Sequence, residues 1–161
     1  MNRIQHDFQV KAINQNTISP LFELSDSELV KQNVIKLVVD KKPGFPCRVS
    51  LEDANIGEEV LLFSYRHHDV DSPYEASGPI FVRQKVKTAT LKVNEIPAML
   101  TDRLLSVRGY DKNAMMIDAK TVHGTTLFDT IQHLFNDLKI VYLHIHNANP
   151  GCYNCKVDRI N

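Results

Sequence analysis

The chain has 161 residues, a hydrophobic fraction of 43%, and equal numbers of basic and acidic residues, 19 of each. This length and apolar content suit one domain spanning residues 1–161 that buries a core without disulfides or metals, and they argue against a disordered chain. The balanced charge argues against nucleic-acid and membrane-surface binding, because both depend on clustered basic residues.

The N-terminal segment lacks the apolar stretch of a signal peptide, and no segment has the ~20 apolar residues that a membrane helix needs. The three cysteines, Cys47, Cys152 and Cys155, form an odd set that fits a reducing compartment better than a disulfide framework. We therefore expect a cytoplasmic protein. Its oligomeric state is not determined by the sequence.

Local patterns predict the elements of the first half of the chain. Apolar and polar residues alternate over residues 3–13, which predicts a half-buried first strand. Ser25 and Glu28 have the spacing of a capping box, so a short helix is expected over residues 26–32. Segments rich in strand-forming residues predict three further strands, over residues 34–39, 58–66 and 78–86.

The second half predicts a hairpin, a helix and a late strand. Residues 104–110 and 114–122 should pair as antiparallel strands around a turn at Asp111-Lys112-Asn113. Apolar residues recur at helical spacing up to residue 138, and Thr126 can cap the start of that helix. These elements predict an α+β fold: an antiparallel β-sheet with one main amphipathic helix (about residues 126–138) packed on it and one or two short helices.

A second hairpin concentrates reactive side chains near the C-terminus. His144 and His146 share one face of an alternating strand, and turn-forming residues 147–151 follow. If His146 faces Cys152 on the returning strand, an imidazole and a thiol lie roughly 5 Å apart between Cβ atoms. Cys152 could then act as a nucleophile with His146 as base, and Asn147 or a turn amide could stabilise negative charge. The alternative is that the cysteines are small buried hydrophobes.

Several motifs stand in a fixed order along the chain. They are residues 43–49 (PGFPCRV), 57–59 (GEE), 72–74 (SPY), 77–83 (SGPIFVR), 103–111, 144–147 (HIHN) and 151–153 (GCY). Together they resemble DUF1203, a bacterial family of proteins of unknown function, over essentially the whole chain. The resemblance implies a small single-domain bacterial protein with no assigned activity. The family pattern has a cysteine matching Cys152 but does not regularly have one matching Cys155.

The motif segments also carry groups that suit an anionic ligand. A guanidinium fork matches carboxylate or phosphate, and five arginines lie in or beside these segments: Arg48, Arg83, Arg103, Arg108 and Arg159. Cys47 is a second thiol with a cation beside it, and Tyr74 and Ser77 lie in a polar loop of the kind that often carries function. Alternatively, these arginines form ion pairs at strand ends.

A zinc site formed by His144, His146, Cys152 and Cys155 is not expected, because in a regular strand Cys155 faces away from Cys152. The adjacent His67 and His68 would likewise point to opposite faces of a continuing strand. We therefore predict no metal and no cofactor.

The leading hypothesis is a pocket for a small anionic metabolite near His144 and His146. A catalytic version would use Cys152 and His146, with Arg83 as the anion anchor. The rival is a non-catalytic sensing or protein-interaction module in which the motif residues are structural.

Overall fold

Eight strands form two antiparallel sheets in the computed structural model, which describes residues 4–160. The strands are β1 Phe8–Lys11, β2 Ile35–Val38, β3 Glu59–His68, β4 Ala76–Arg83, β5 Leu104–Tyr110, β6 Met116–His123, β7 Tyr142–Asn147 and β8 Tyr153–Arg159. The helices are α1 Gln15–Phe22, α2 Asp26–Lys31 and α3 Leu127–Phe135, with short 3₁₀ turns at Ala98–Leu100 and Gly124–Thr126.

The larger sheet has five strands in the order β1-β8-β7-β5-β6, and the smaller sheet has the order β2-β3-β4. Every neighbouring pair of these strands is antiparallel, which confirms the predicted α+β class. One main helix is not confirmed, because α3 has nine residues and α1 has eight. The described chain is mostly sheet.

The two faces of the larger sheet differ because side chains alternate along each strand. On β5 and β7 the buried Leu105, Val107, Leu143 and Ile145 share the face that packs against α3. The four fully buried side chains of α3 are Leu127, Ile131, Leu134 and Phe135. Truncating one of them to alanine would cost on the order of 2–5 kcal/mol.

Helix α3 ends three residues earlier than predicted, and Arg159 accounts for the end. Its Nη2 donates to the carbonyls of Phe135 at 2.8 Å and Asp137 at 3.1 Å. A cation at the C-terminal carbonyls is favourable because those groups have no partner within the helix. Thr126 occupies the N-cap position as expected, but its side chain makes no capping bond.

The predicted short elements of the N-terminal third agree in part with the structure. The capping box at α2 is confirmed: the Ser25 amide donates to Glu28 Oε2 at 2.7 Å and the Glu28 amide donates to Ser25 Oγ at 3.3 Å. The predicted first strand began at residue 3, which lies outside the described residues, and β1 covers a shorter segment. Helix α1 was not predicted. No helix among residues 4–160 is long and apolar enough to cross a membrane.

Arg48 links the two sheets from inside the protein. Its side chain is 98% buried by area, since only 2% remains exposed, and its Nε donates to the carbonyl of Tyr153 at 2.8 Å. Its Nη1 donates to the carbonyl of Pro46. Burial lowers the pKa of Arg48 to about 10, which still leaves it charged at neutral pH. Its backbone amide donates to the carbonyl of Phe81 on β4 at 3.2 Å, so Arg48 ties the start of β8 to the smaller sheet.

Candidate functional site

Four histidines from both sheets meet on the polar face of the larger sheet, and we call His67, His68, His144 and His146 the histidine cluster. His68 and His144 have ring centroids 4.7 Å apart, and His67 and His146 have centroids 5.0 Å apart. His144 and His146 are 3% and 1% exposed, whereas His67 is only half-buried. The cluster therefore has a buried floor on β7 and an accessible edge on β3.

Tyrosines surround the cluster. Tyr153 stacks on His67 with a centroid separation of 4.9 Å and an interplanar angle of 9°. Tyr110 and Tyr142 stack on each other at 5.3 Å, and Tyr110 also lies 4.5 Å from His68. Burial raises the pKa of Tyr142 to about 12, so its hydroxyl remains a hydrogen-bond donor at neutral pH.

Hydrogen bonds define the state of two of the four rings. His68 Nδ1 lies 2.6 Å from the carbonyl of Tyr74, and its Nε2 lies 2.7 Å from the hydroxyl of Tyr142. His146 Nδ1 lies 2.9 Å from the carbonyl of Gly151. Three buried ring nitrogens have no partner among residues 4–160: His67 Nδ1, His144 Nδ1 and His146 Nε2. An unpartnered buried polar atom costs about 1–3 kcal/mol, so this concentration needs an explanation.

The rings with unpartnered nitrogens are neutral at physiological pH. Burial, assisted by the neighbouring His68, lowers the pKa of His144 to about 2. Burial, together with the charge of Arg108, lowers the pKa of His146 to about 3. Burial, together with the neighbouring His68 and Arg108, lowers the pKa of His67 to about 4. Each ring therefore offers one lone pair and one N–H rather than a positive charge.

Two cations flank His144 on this face: Lys156 on β8, which is paired with Asp158 at 2.9 Å, and Arg108 on β5. Arg108 lies directly opposite His144, and its Nε donates to Ser106 Oγ at 3.1 Å. Ser106 in turn lies opposite His146 on β7. No carboxylate of residues 4–160 lies within ion-pair distance of Arg108, and the side chain is half-buried. The guanidinium also hydrogen-bonds to the side chain of Tyr110, so its partners among residues 4–160 are neutral.

A family described as "Protein of unknown function (DUF1203)" has a model that matches residues 44–159. The chain belongs to DUF1203. The matched part contains β3 to β8, and with them the whole histidine cluster and Arg108. Helices α1 and α2 and strands β1 and β2 precede it. No curated protein and no solved structure matches the chain.

In this DUF1203 chain, two of the predicted ligand-binding arginines are held by carboxylates. Arg83 contacts both oxygens of Glu58 at 2.7 and 2.8 Å and Glu52 at 3.1 Å. The hydrogen bonds from Arg83 lower the pKa of Glu58 to about 2. Arg103 contacts both oxygens of Asp53 at 2.6 and 3.0 Å. These two arginines and the histidine cluster do not form one site.

Arg83, Glu52 and Asp53 line an open groove of about 860 Å³, together with apolar residues such as Leu91. None of the residues that line this groove belongs to the histidine cluster. The arginine in the groove is already neutralised by Glu52 and Glu58, so Arg83 is not available as the predicted anion anchor.

The expected pairing of His146 with Cys152 is wrong. His146 pairs with Tyr153, because Asn154 forms a bulge between that pair and the next pair, Ile145 with Cys155. The amide of Asn147 donates to the carbonyl of Cys152 at 2.9 Å, which places Cys152 opposite Asn147. Side chains alternate along β7, so this register directs the Cys152 thiol to the face opposite His146.

The expectation that Cys155 faces away from Cys152 is also wrong because of this bulge. Cys152 lies opposite Asn147 and Cys155 lies opposite Ile145, and these two β7 residues share one face of the sheet. Cys155 is fully buried in the core beside α3, and burial raises the pKa of its thiol to about 12. Cys47 is also fully buried, and its Sγ accepts hydrogen bonds from the amides of Arg83 and Ser50. Among residues 4–160 there is no group of three or more His, Cys, Asp or Glu side chains arranged to hold a metal ion.

The remaining predicted site residues lie around the cluster or outside it. Asn147 Oδ1 accepts a hydrogen bond from Asn154 Nδ2 at 2.9 Å, so it stabilises the bulge. Tyr74 contributes its carbonyl to His68, and its ring lies 6.1 Å from Tyr110. Ser77 is exposed on β4.

The sequence interpretation did not include His67 and His68 in the site, although their adjacency was visible. A regular strand would separate their rings. The pairing of β3 with β4 is irregular between Tyr65 and His68, and both rings lie near His144, with centroids at 6.1 and 4.7 Å.

Proposed function

We propose that this DUF1203 protein binds a small anionic metabolite between its two sheets, with Arg108 holding the anionic group beside the histidine cluster. The observation that carries the proposal is the state of Arg108. It is a half-buried cation with no carboxylate partner among residues 4–160, next to three unpartnered ring nitrogens. Arg83 and Arg103 each have a carboxylate partner.

The ligand approaches from the side where the cluster is least covered. Arg108 and His67 are half-buried, and the residues of β6 that flank Arg108 on this face, Ala119 and Thr121, are small and exposed. A guanidinium whose Nε is already bonded to Ser106 still has two terminal nitrogens, which suit a planar carboxylate or a phosphate oxygen pair. Because the buried rings are neutral, Arg108 supplies the charge that selects an anion.

Catalysis through Cys152 and His146 is not part of the proposal, because the register of β7 and β8 separates their side chains. The rival interpretation is that the cluster is purely structural. His68 fits the rival, since both of its ring nitrogens have partners within the protein. His144 and His146 differ from His68, because each keeps one buried ring nitrogen that has no partner among residues 4–160 and needs a water or a ligand atom to complete it.

The test is an anion titration of the wild-type protein and two variants, Arg108→Gln and Arg66→Gln. Arg66 is an exposed arginine on β3 that forms surface ion pairs with Asp69 and Glu75, so it is a matched control for the loss of one charge. Inorganic phosphate, sulfate, propionate and lactate serve as probes, and binding is measured by calorimetry and by thermal unfolding.

We expect at least one probe to bind the wild type and the Arg66→Gln variant with equal affinity. The Arg108→Gln variant should bind that probe about 10- to 100-fold more weakly, since a hydrogen-bonded charged contact contributes about 1.5–3 kcal/mol. Equal affinities in all three proteins would contradict the assignment of Arg108. The absence of binding for every probe, with all three proteins folded, would favour the structural rival.

A further inference from the structure

Arg108 and the histidine cluster place a positive charge among imidazole rings. Arg108 is directly opposite His144 in the ladder of β5 and β7, and directly opposite Cβ atoms in antiparallel strands are about 4.5–5.5 Å apart. The ring of His67 lies 6.1 Å from that of His144 and 5.0 Å from that of His146, measured between centroids. A proton added to one of these rings therefore places a second positive charge near the guanidinium.

His67 is the ring of the cluster that is best placed to take up a proton. It is half-buried, whereas His144 and His146 are 3% and 1% exposed. Its pKa of about 4 is also higher than the values of about 2 and 3 for those two buried rings. The two ring nitrogens of His68 already have partners within the protein.

Several groups keep His67 neutral. Burial is the main cause of its low pKa, and the neighbouring His68 and the charge of Arg108 lower that pKa further. A contact with the backbone of Tyr65 acts in the opposite direction. No carboxylate of the described residues is among the groups that change the pKa of His67. The titratable and charged groups around the ring are His68 and Tyr65 on β3, Arg108 on β5, His144 and His146 on β7, and Tyr153 on β8, with Lys156 of β8 acting on His144.

An anion bound to Arg108 would supply the negative charge that this face lacks. It would offset the repulsion between the guanidinium and a protonated His67, so protonation of the ring would cost less in the complex than in the free protein. Ligand binding and proton binding that favour each other do so reciprocally. We propose, on the basis of the binding function proposed above, that anion binding at Arg108 is coupled to the uptake of a proton by His67. The protein should then bind its anion more tightly as the pH falls.

The size of this coupling depends on how far binding raises the pKa of His67. Burial persists in the complex, so the ordinary value of about 6.5 is the upper limit. A rise from about 4 to between about 5.5 and 6.5 makes the affinity at pH 5.5 about 2- to 10-fold higher than at pH 7.5. The complex should take up between about half a proton and one proton per anion at pH 5.5.

The test is calorimetric titration with sulfate and lactate at pH 5.5 and 7.5, at constant ionic strength. Both probes remain ionised over this range, so a pH dependence belongs to the protein. Repeating each titration in two buffers with different ionisation enthalpies gives the number of protons taken up per anion. The proteins are the wild type, His67→Gln, and the control His133→Gln, which changes an exposed histidine of α3. We expect tighter binding at pH 5.5 and proton uptake in the wild type and the control, and neither effect in His67→Gln.

If His67→Gln does not fold, the titration of His67 in the wild type labelled with ¹⁵N-histidine decides the question, since its midpoint should rise to about pH 5.5 or above when the probe is bound. Equal wild-type affinities at the two pH values, without proton uptake, would overturn the coupling but leave anion binding in place. A pH dependence that persists in His67→Gln would overturn the assignment to His67. No binding of either probe at either pH would overturn both proposals.

Discussion

The stability of the protein should fall steeply as the pH drops below about 6.5, because buried histidines resist protonation only in the folded state. His144 and His146 have folded pKa values of about 2 and 3, against an ordinary value of about 6.5 in the unfolded chain. Between these values the unfolded state binds more protons than the folded state. Their contribution to stability is therefore complete above pH 6.5 and is lost progressively as the pH falls towards the folded values.

The size of the effect follows from the two nearly fully buried rings. At pH 5.5, one unit below the unfolded pKa, linkage gives about 1.4 kcal/mol for each histidine, or about 2.8 kcal/mol for both. With a urea m-value of roughly 2 kcal/mol/M, the midpoint should fall by about 1.4 M between pH 7.5 and 5.5. The chain has no tryptophan, so far-UV circular dichroism is the appropriate signal.

Three variants separate this cause from general acid destabilisation. His144→Gln and His146→Gln should each remove about 1.4 kcal/mol of the pH dependence, while the half-buried His67 adds a smaller share in every variant. His133→Gln, on the exposed side of α3, should leave the pH dependence unchanged. An NMR titration that shows His144 and His146 protonating near pH 6.5 in the folded protein would refute the reasoning. An unchanged midpoint across the two pH values would also refute it.

Two further predictions concern packing and thiol access. Gly124→Ala should lower the free energy of unfolding by about 3 kcal/mol or more, because an added Cβ would lie 1.8 Å from the backbone oxygen of Leu100. Gly78→Ala is the control, because a Cβ at that position meets nothing within 4 Å. If urea unfolding gives the Gly124→Ala variant the stability of the wild type, the packing described here is wrong. Iodoacetamide should label the partly exposed Cys152 first, whereas the buried Cys47 and Cys155 should react only as fast as the protein opens. The labelling rate of each cysteine is measured by mass spectrometry. If Cys155 is labelled as fast as Cys152, the burial of Cys155 is wrong.

Elements defined by nearby residues could be predicted from the sequence. The capping box of α2 and the β5–β6 hairpin depend on contacts within a few residues, and both were predicted. Helix α1 was not predicted, because Ile18 is its only fully buried residue and Pro20 lies inside it. A helix with so little apolar periodicity gives no helical signal in the sequence.

The site depended on contacts between residues far apart in the chain. Alternation placed His144 and His146 on one face, but bringing His67 and His68 to that face required an irregular pairing in β3 and the packing of one sheet on the other. Which arginines are paired with carboxylates also depends on residues that are far apart in the chain. Arg103 is neutralised by Asp53, fifty residues away in sequence, and such a partner leaves no signature in a local pattern.

The extra residue Asn154 limits how the length of β8 can change. Side chains alternate between the two faces of the sheet both before and after Asn154, but the order of the faces is shifted by one residue at that position. The residues on both sides of Asn154 pair with β7. Removing this residue would leave those flanking pairs in place, whereas an insertion or deletion at any other position of β8 would turn one part of the strand over. A natural or engineered variant of different length should therefore differ at this position and keep the rest of β8 constant.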